Sequence, residues 1–209
     1  MKVTMTQTKM PVMDMNEITT EFTLTQDGRP VGYFTIKGIR ILCRVYVGIN
    51  LAGRVFQAND VVSFGHNEVE EYRPLYILED NVQKGIVYSS TIKTGAFSSK
   101  SHTLCAIDGV DYITYFNQID DSLVGSVYVF EKQVAQFRHS HHSLDEPHIY
   151  ELACTDTASF TACALTALRN YIIVYLKPRR NEFATKRVTW GYTVPEWPEK
   201  YDPDFEKKV

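Results

Sequence analysis

Four of the six histidines in this 209-residue chain fall within RHSHHSLDEPH, Arg138 to His148. Neutral imidazole is a common transition-metal ligand, and alternate residues of an extended strand share a face. His139 and His141 are therefore the candidate metal pair, with His142, His148, Asp145 and Glu146 close by in sequence. No helical i,i+4 pair and no thiolate completes a coordination set. A solvated polar loop between two strands is the stronger reading.

A second candidate is cationic. Lys177, Arg179, Arg180, Lys186 and Arg187 are opposed only by Glu182. Such a run can gather anionic phospholipid headgroups, at about 1 kcal/mol per cation near a membrane surface. It also follows a helix, where cations complement the negative end of the helix dipole, and this plainer role is preferred. Further on, Tyr192, Trp197, Tyr201 and Phe205 punctuate a proline-rich tail and are candidates for docking a protein partner. Asp202, Asp204 and Glu206 alternate there and could touch calcium, although spaced acids in such a tail are ordinarily solvated.

Catalytic signatures are weak. Ser90-Thr91-Ile92-Lys93 and Lys93-Thr94-Gly95 match the letters of two serine-acylase motifs, but those motifs need separate lysines on a helix and a strand. Here one lysine is shared, so the match is chance. Phosphate-binding glycine loops, HExxH, Gly-x-Ser-x-Gly and EF-hand loops are missing from the sequence. The expectation is a non-enzyme with no cofactor.

Composition narrows the setting. A net charge of −3 gives no global attraction for nucleic acid, which is not an expected partner. The cysteines at 43, 105, 154 and 163 form no CxxC pair and read as buried thiols. The start, MKVTMTQTKMPVMDMNEITT, lacks the apolar run of a secretory signal and the arginines of a transit peptide. An intracellular place, cytoplasmic or peripheral to a membrane, is expected.

The elements that must position these residues are mostly strands. Residues 1–18 show no clear period and read as a flexible start. Strand signals then recur at 21–25, 31–36, 39–49, 53–58, 61–65, 74–79, 83–89, 102–107, 110–117, 124–130, 133–139 and 148–154. Asp27-Gly28, Asp80-Asn81, Asp108-Gly109 and Glu131-Lys132 are the expected turns. After them comes DTASFTACALTALRNYIIVYL, 156–176, apolar on nearly every side, with Asp156 as N-cap and Pro178 just beyond its end. Residues 177–209 add the basic segment, one possible strand at 186–193 and an extended tail.

About twelve antiparallel strands with one apolar face must close or split to hide their edges. A barrel that wide is not filled by its own side chains, so the apolar helix is read as its plug. The predicted fold is mainly β, a twelve-stranded antiparallel barrel over 19–176 filled by the helix 156–176.

The run VYVFEKQVAQFRHSHHSLDEPHIYELACTDTASFTACALTALRNYI, 127–172, resembles the tubby C-terminal-like superfamily, which includes tubby-like proteins, phospholipid scramblases and LURP-one-related proteins. The likeness rests on the strand Gln133 to Arg138, the strand Ile149-Tyr150-Glu151-Leu152, an Asp and a closing apolar helix. It implies a twelve-stranded barrel around a central C-terminal helix, and a lipid-surface or protein-binding adaptor. Scramblase-like relatives raise the alternative that the helix spans a bilayer. Insertion scales give roughly −2 to −4 kcal/mol for its large apolar side chains against about +3 for Arg169, so a spanning helix is disfavoured. Inside a barrel Arg169 must reach the mouth, where an acidic contact is expected. A structural subunit docking through its tail is the other alternative.

Overall fold

A computed structural model describes residues 1–14, 17–39, 44–60, 74–93, 99–140, 146–176 and 197–209. Twelve strands lie in it: β1 (Lys2–Asp14), β2 (Glu17–Gln26), β3 (Arg29–Ile39), β4 (Arg44–Leu51), β5 (Arg54–Asp60), β6 (Leu75–Glu79), β7 (Val82–Lys93), β8 (Ser99–Ile107), β9 (Val110–Ile119), β10 (Ser122–Val129), β11 (Lys132–Ser140) and β12 (Ile149–Cys154). Each pairs antiparallel with its sequence neighbour, and β1 pairs with β12, so the sheet closes into a barrel without free edges. The helix α1 (Thr157–Tyr175) follows directly.

Turn chemistry explains the up-and-down course. Asp27-Gly28, Ala52-Gly53, Asp80-Asn81 and Asp108-Gly109 all have positive φ, the geometry that matches the twist of tight hairpins. Strand patterning supplies the core: β2 alternates buried and partly exposed residues along its length, and Phe22, Phe34, Ile36, Ile49, Phe56, Ile77, Val87 and Phe137 are fully or almost fully buried. Gly125 of β10 is a close-approach position, because a Cβ there would run into the Phe137 ring from the neighbouring strand.

Burial surrounds α1 on nearly all sides. Phe160, Ala162, Cys163, Ala164, Leu165, Ala167, Leu168 and Tyr171 are wholly buried, the pattern of an axial helix rather than a surface one. Its N-terminus is closed by a capping box: Ser159 N donates to Asp156 Oδ1 at 2.7 Å, and Asp156 N donates to Ser159 Oγ at 3.1 Å. The hydroxyls of Thr161 and Thr166 turn back to Thr157 O and Ala162 O at 3.1 and 2.9 Å, which lets them sit in an apolar interior. Arg169, 4% exposed, donates from Nη1 to Ser89 Oγ of β7 at 3.0 Å. Among the described residues no helix is long and apolar enough to cross a membrane.

Two expectations change. The start read as flexible over 1–18 contains strand β1 and the first residues of β2, and β1 is the strand that closes the barrel against β12. The single strand expected over 39–49 is instead the end of β3 and the body of β4, because Ile39 pairs antiparallel with Arg44. The candidate strands 61–65 and 186–193 lie outside the described residues.

Candidate functional site

Because the chain runs up and down, the β2–β3, β4–β5, β6–β7, β8–β9 and β10–β11 turns gather at one end of the barrel, together with Met1 and the start of α1. An open cleft of about 640 Å³ lies there, lined by Val110, Tyr112, Val129, Phe130, Val134 and Ala158, with Glu131, Lys132, Asp156 and Ser159 at its polar edge. A second cleft of about 560 Å³, lined in part by Met1, Val31, Tyr33, Thr157 and Phe160, lies at the same end.

Phe130 is the outlying residue of this end. It occupies the two-residue turn between Val129 and Lys132, which pair in the β10–β11 ladder. Its φ is +52° and it is 90% exposed. A left-handed conformation costs a non-glycine residue roughly 1–2 kcal/mol, and an exposed phenyl ring recovers none of that by burial. Val55, Val82 and Val110 stand at the starts of their strands after the other turns and are exposed as well, with Tyr33. The turn end therefore carries scattered apolar side chains around the apolar cleft.

Several of its charges are paired with one another. Arg54 donates from Nε and Nη2 to the two oxygens of Glu79 at 3.0 and 2.9 Å, reaches Asp108 across the next turn, and lies 4.6 Å over the Phe56 ring. These bonds hold the Glu79 and Asp108 carboxyls below their ordinary range. Asp156 is held low by the Ser159 amide, while burial and then the charge of Asp156 push the Tyr112 phenol up. Glu131 takes the Lys200 ammonium at 2.9 Å. What the cleft offers a ligand is apolar area with a polar edge of both signs.

The opposite end holds a buried polar cluster. His139 and His148 face each other, Nε2 to Nδ1 at 3.0 Å, with the His139 ring stacked on Tyr150 at 4.1 Å. Gln7 of β1 pins His148 through both backbone groups: Gln7 N donates to His148 O at 2.8 Å, and His148 N donates to Gln7 Oε1 at 3.1 Å. The Gln7 amide also donates to Thr20 Oγ1 and Tyr171 Oη at 2.8 and 2.9 Å. Burial pushes the Tyr171 phenol up to about 12 and the Tyr150 and Tyr175 phenols up as well. His139 thus points inward to His148, from the far side of the loop, and neither ring belongs to a solvated loop. His141 lies outside the described residues, among which no group of three His, Cys, Asp or Glu side chains could hold a metal.

Lys177, Arg179, Arg180, Lys186, Arg187 and Tyr192 also lie outside the described residues. Of the tail, Trp197 and Phe205 are buried and Tyr201 is half-buried. Trp197 N donates to Asn117 Oδ1 at 2.7 Å and Trp197 Nε1 to Ser101 O at 3.1 Å, with its ring 4.9 Å from Tyr115 and the Lys100 ammonium 4.8 Å from its centre. This aromatic is placed on the chain's own barrel rather than held out toward a partner. Asp202 pairs with Lys208, Asp204 with Lys207, and Glu206 accepts from Gln136 at 3.3 Å, so the alternating acids are engaged by donors. Cys105, Cys154 and Cys163 are buried free thiols, and burial pushes Cys105 up to about 12.

Phe130 escapes sequence reasoning because VYVF reads as continuous strand, which moves the expected turn one residue late, to Glu131-Lys132. Parity alone would centre the turn on Glu131, because Val127 pairs with Ala135; a register shift between Val127 and Tyr128 brings Val129 opposite Lys132 and leaves Phe130 and Glu131 to turn the chain. No family model matches this chain, and neither a curated protein nor a solved structure does.

Proposed function

We propose that this chain is a non-enzymatic binding module with a tubby-like fold, an adaptor that engages a protein partner through the turn end of its barrel. The resemblance of 127–172 to the tubby C-terminal-like superfamily agrees with a twelve-stranded barrel and its C-terminal helix. Side chains of α1 occupy the barrel axis, which directs recognition to the outside. The observation that carries the reading is Phe130, a 90% exposed aromatic in a left-handed turn beside an apolar cleft. The other tight turns place Asp or Ala in this left-handed position, so an exposed aromatic there supports a residue kept for contact. A turn end with both signs of charge, including the Arg54, Glu79 and Asp108 cluster, suits a protein surface better than an anionic bilayer.

Photo-crosslinking in cells from position 130, with position 12 on β1 as the control, tests this. A discrete adduct specific to 130 is expected. Co-sedimentation with phosphoinositide vesicles, abolished by substituting Lys177, Arg179 and Arg180, would replace the protein reading with the anionic-lipid one.

A further inference from the structure

The outer wall of β8–β11 is covered in an unusual way. Outward-facing residues His102, Tyr115, Ser126 and Gln136 form one row across the four strands: Ser126 pairs with Tyr115 and Gln136, and the His102 and Tyr115 rings lie 6.1 Å apart. The tail crosses this row in chain order. Trp197 sits at β8 and β9, Lys200 lies 5.5 and 5.2 Å from the Tyr115 and Tyr128 rings, and Glu206 meets Gln136 of β11. Apart from two single 3-10 turns, Pro198–Lys200 and Phe205–Lys207, the described tail residues 197–209 have no regular structure of their own. It is held as a peptide ligand is held, by an aromatic anchor, a cation and a few hydrogen bonds.

The fit is incomplete. Among the described residues His102 Nδ1, Asn117 Nδ2 and Ser126 Oγ, all on this wall and buried, have no hydrogen-bond partner. Buried polar atoms left unmatched weaken the contact that buries them. The connection 177–196 can span about 70 Å at about 3.3 Å per residue, more than twice the length of α1 at about 1.5 Å per residue, so lifting the tail does not require the barrel to open.

We infer that the β8–β11 wall is a groove for an extended segment of another protein, with the tail 197–207 as its competitor in cis. The segment carries an aromatic anchor for the Tyr115 and Lys100 site and, three residues on, a cation for Glu131 and the Tyr115 and Tyr128 faces. It gains over the tail by also satisfying Asn117 Nδ2 and Ser126 Oγ. The groove shares Glu131 with the edge of the turn-end cleft, but its row His102, Tyr115, Ser126 and Gln136 lies outside that cleft, so either reading stands if the other fails.

The test uses a fluorescein-labelled peptide of residues 194–209 as probe. Full-length Trp197→Ala, whose groove has lost its anchor, is expected to bind this peptide at least about tenfold tighter than the wild type, in which the tethered tail competes at high effective concentration. The same peptide with Trp197→Ala is expected not to bind. Equal binding to both chains, or none to a folded Trp197→Ala chain, overturns the proposal. Should that variant not fold, hydrogen exchange on the wild type decides: amides of 197–207 must exchange at least about 100-fold faster than those of β9 and β10. Equal rates would mean that the tail never lifts alone. A wild-type dimer that the peptide dissociates assigns the groove to a second copy and overturns the choice of another protein.

Discussion

His139 Nε2 and His148 Nδ1 meet at 3.0 Å inside the barrel, on strand β11 and on the residue just before β12. One ring must donate and the other accept, so the contact couples the proton positions of the two rings. Gln7 holds the His148 backbone on both sides, so the pair ties β1 to β11 at the seam where the barrel closes.

Replacing His139 removes this bond and the stack on Tyr150 together. His139→Ala is expected to cost about 3 kcal/mol, from a lost buried hydrogen bond and a cavity. His139→Phe keeps a ring over Tyr150 and is expected to cost less. Urea unfolding of the two variants checks the order, and equal losses would show that the ring packing over Tyr150 contributes nothing.

Stability at acid pH depends on carboxylates held below their ordinary range. Asp156, through the Ser159 amide, and Asp108 and Glu79, through Arg54, are all lowered in the folded chain. Their contribution is present above the unfolded carboxylate range and is lost as pH falls through the lower folded values. Asp156→Ala is expected to cost about 1 kcal/mol at pH 7 and to flatten the acid limb of a stability profile. An unchanged limb would count against the cap.

Gly125 has a packing role that a stability measurement reads directly. Gly125→Ala forces the Phe137 ring away from β10 and is expected to destabilise by about 1–3 kcal/mol despite the better strand propensity of alanine. Restoration by Phe137→Leu in the same chain is the expected second-site effect.

The helix and three of the tight hairpin turns are legible in the sequence. Asp156 and the all-round apolar pattern mark α1, and Asp-Gly or Asp-Asn pairs mark three of the turns, because each meets a local backbone requirement. Strand β1 is hidden because its inward residues Val3, Met5 and Gln7 are a mixed set, and shifts between Gln7, Lys9 and Val12 break its period. The tail reads as extended from its prolines and charges, with its aromatics offered to a partner, yet Trp197 and Phe205 are buried; the groups that seat Trp197, Ser101, Tyr115 and Asn117, come from strands distant in sequence. His148 is likewise brought to His139 only by the closure of the fold.

Phe130 sets stability against contact. Phe130→Gly relieves the left-handed backbone and is expected to raise stability by about 1 kcal/mol, as a shift in the urea midpoint with an unchanged slope.

That variant also supplies the decisive measurement, photo-crosslinking in cells from position 110 of the cleft in the wild type and in Phe130→Gly. The wild type should give a discrete protein adduct that is lost in the equally or more stable glycine variant. An adduct that persists without the phenyl ring would contradict a binding site built on Phe130.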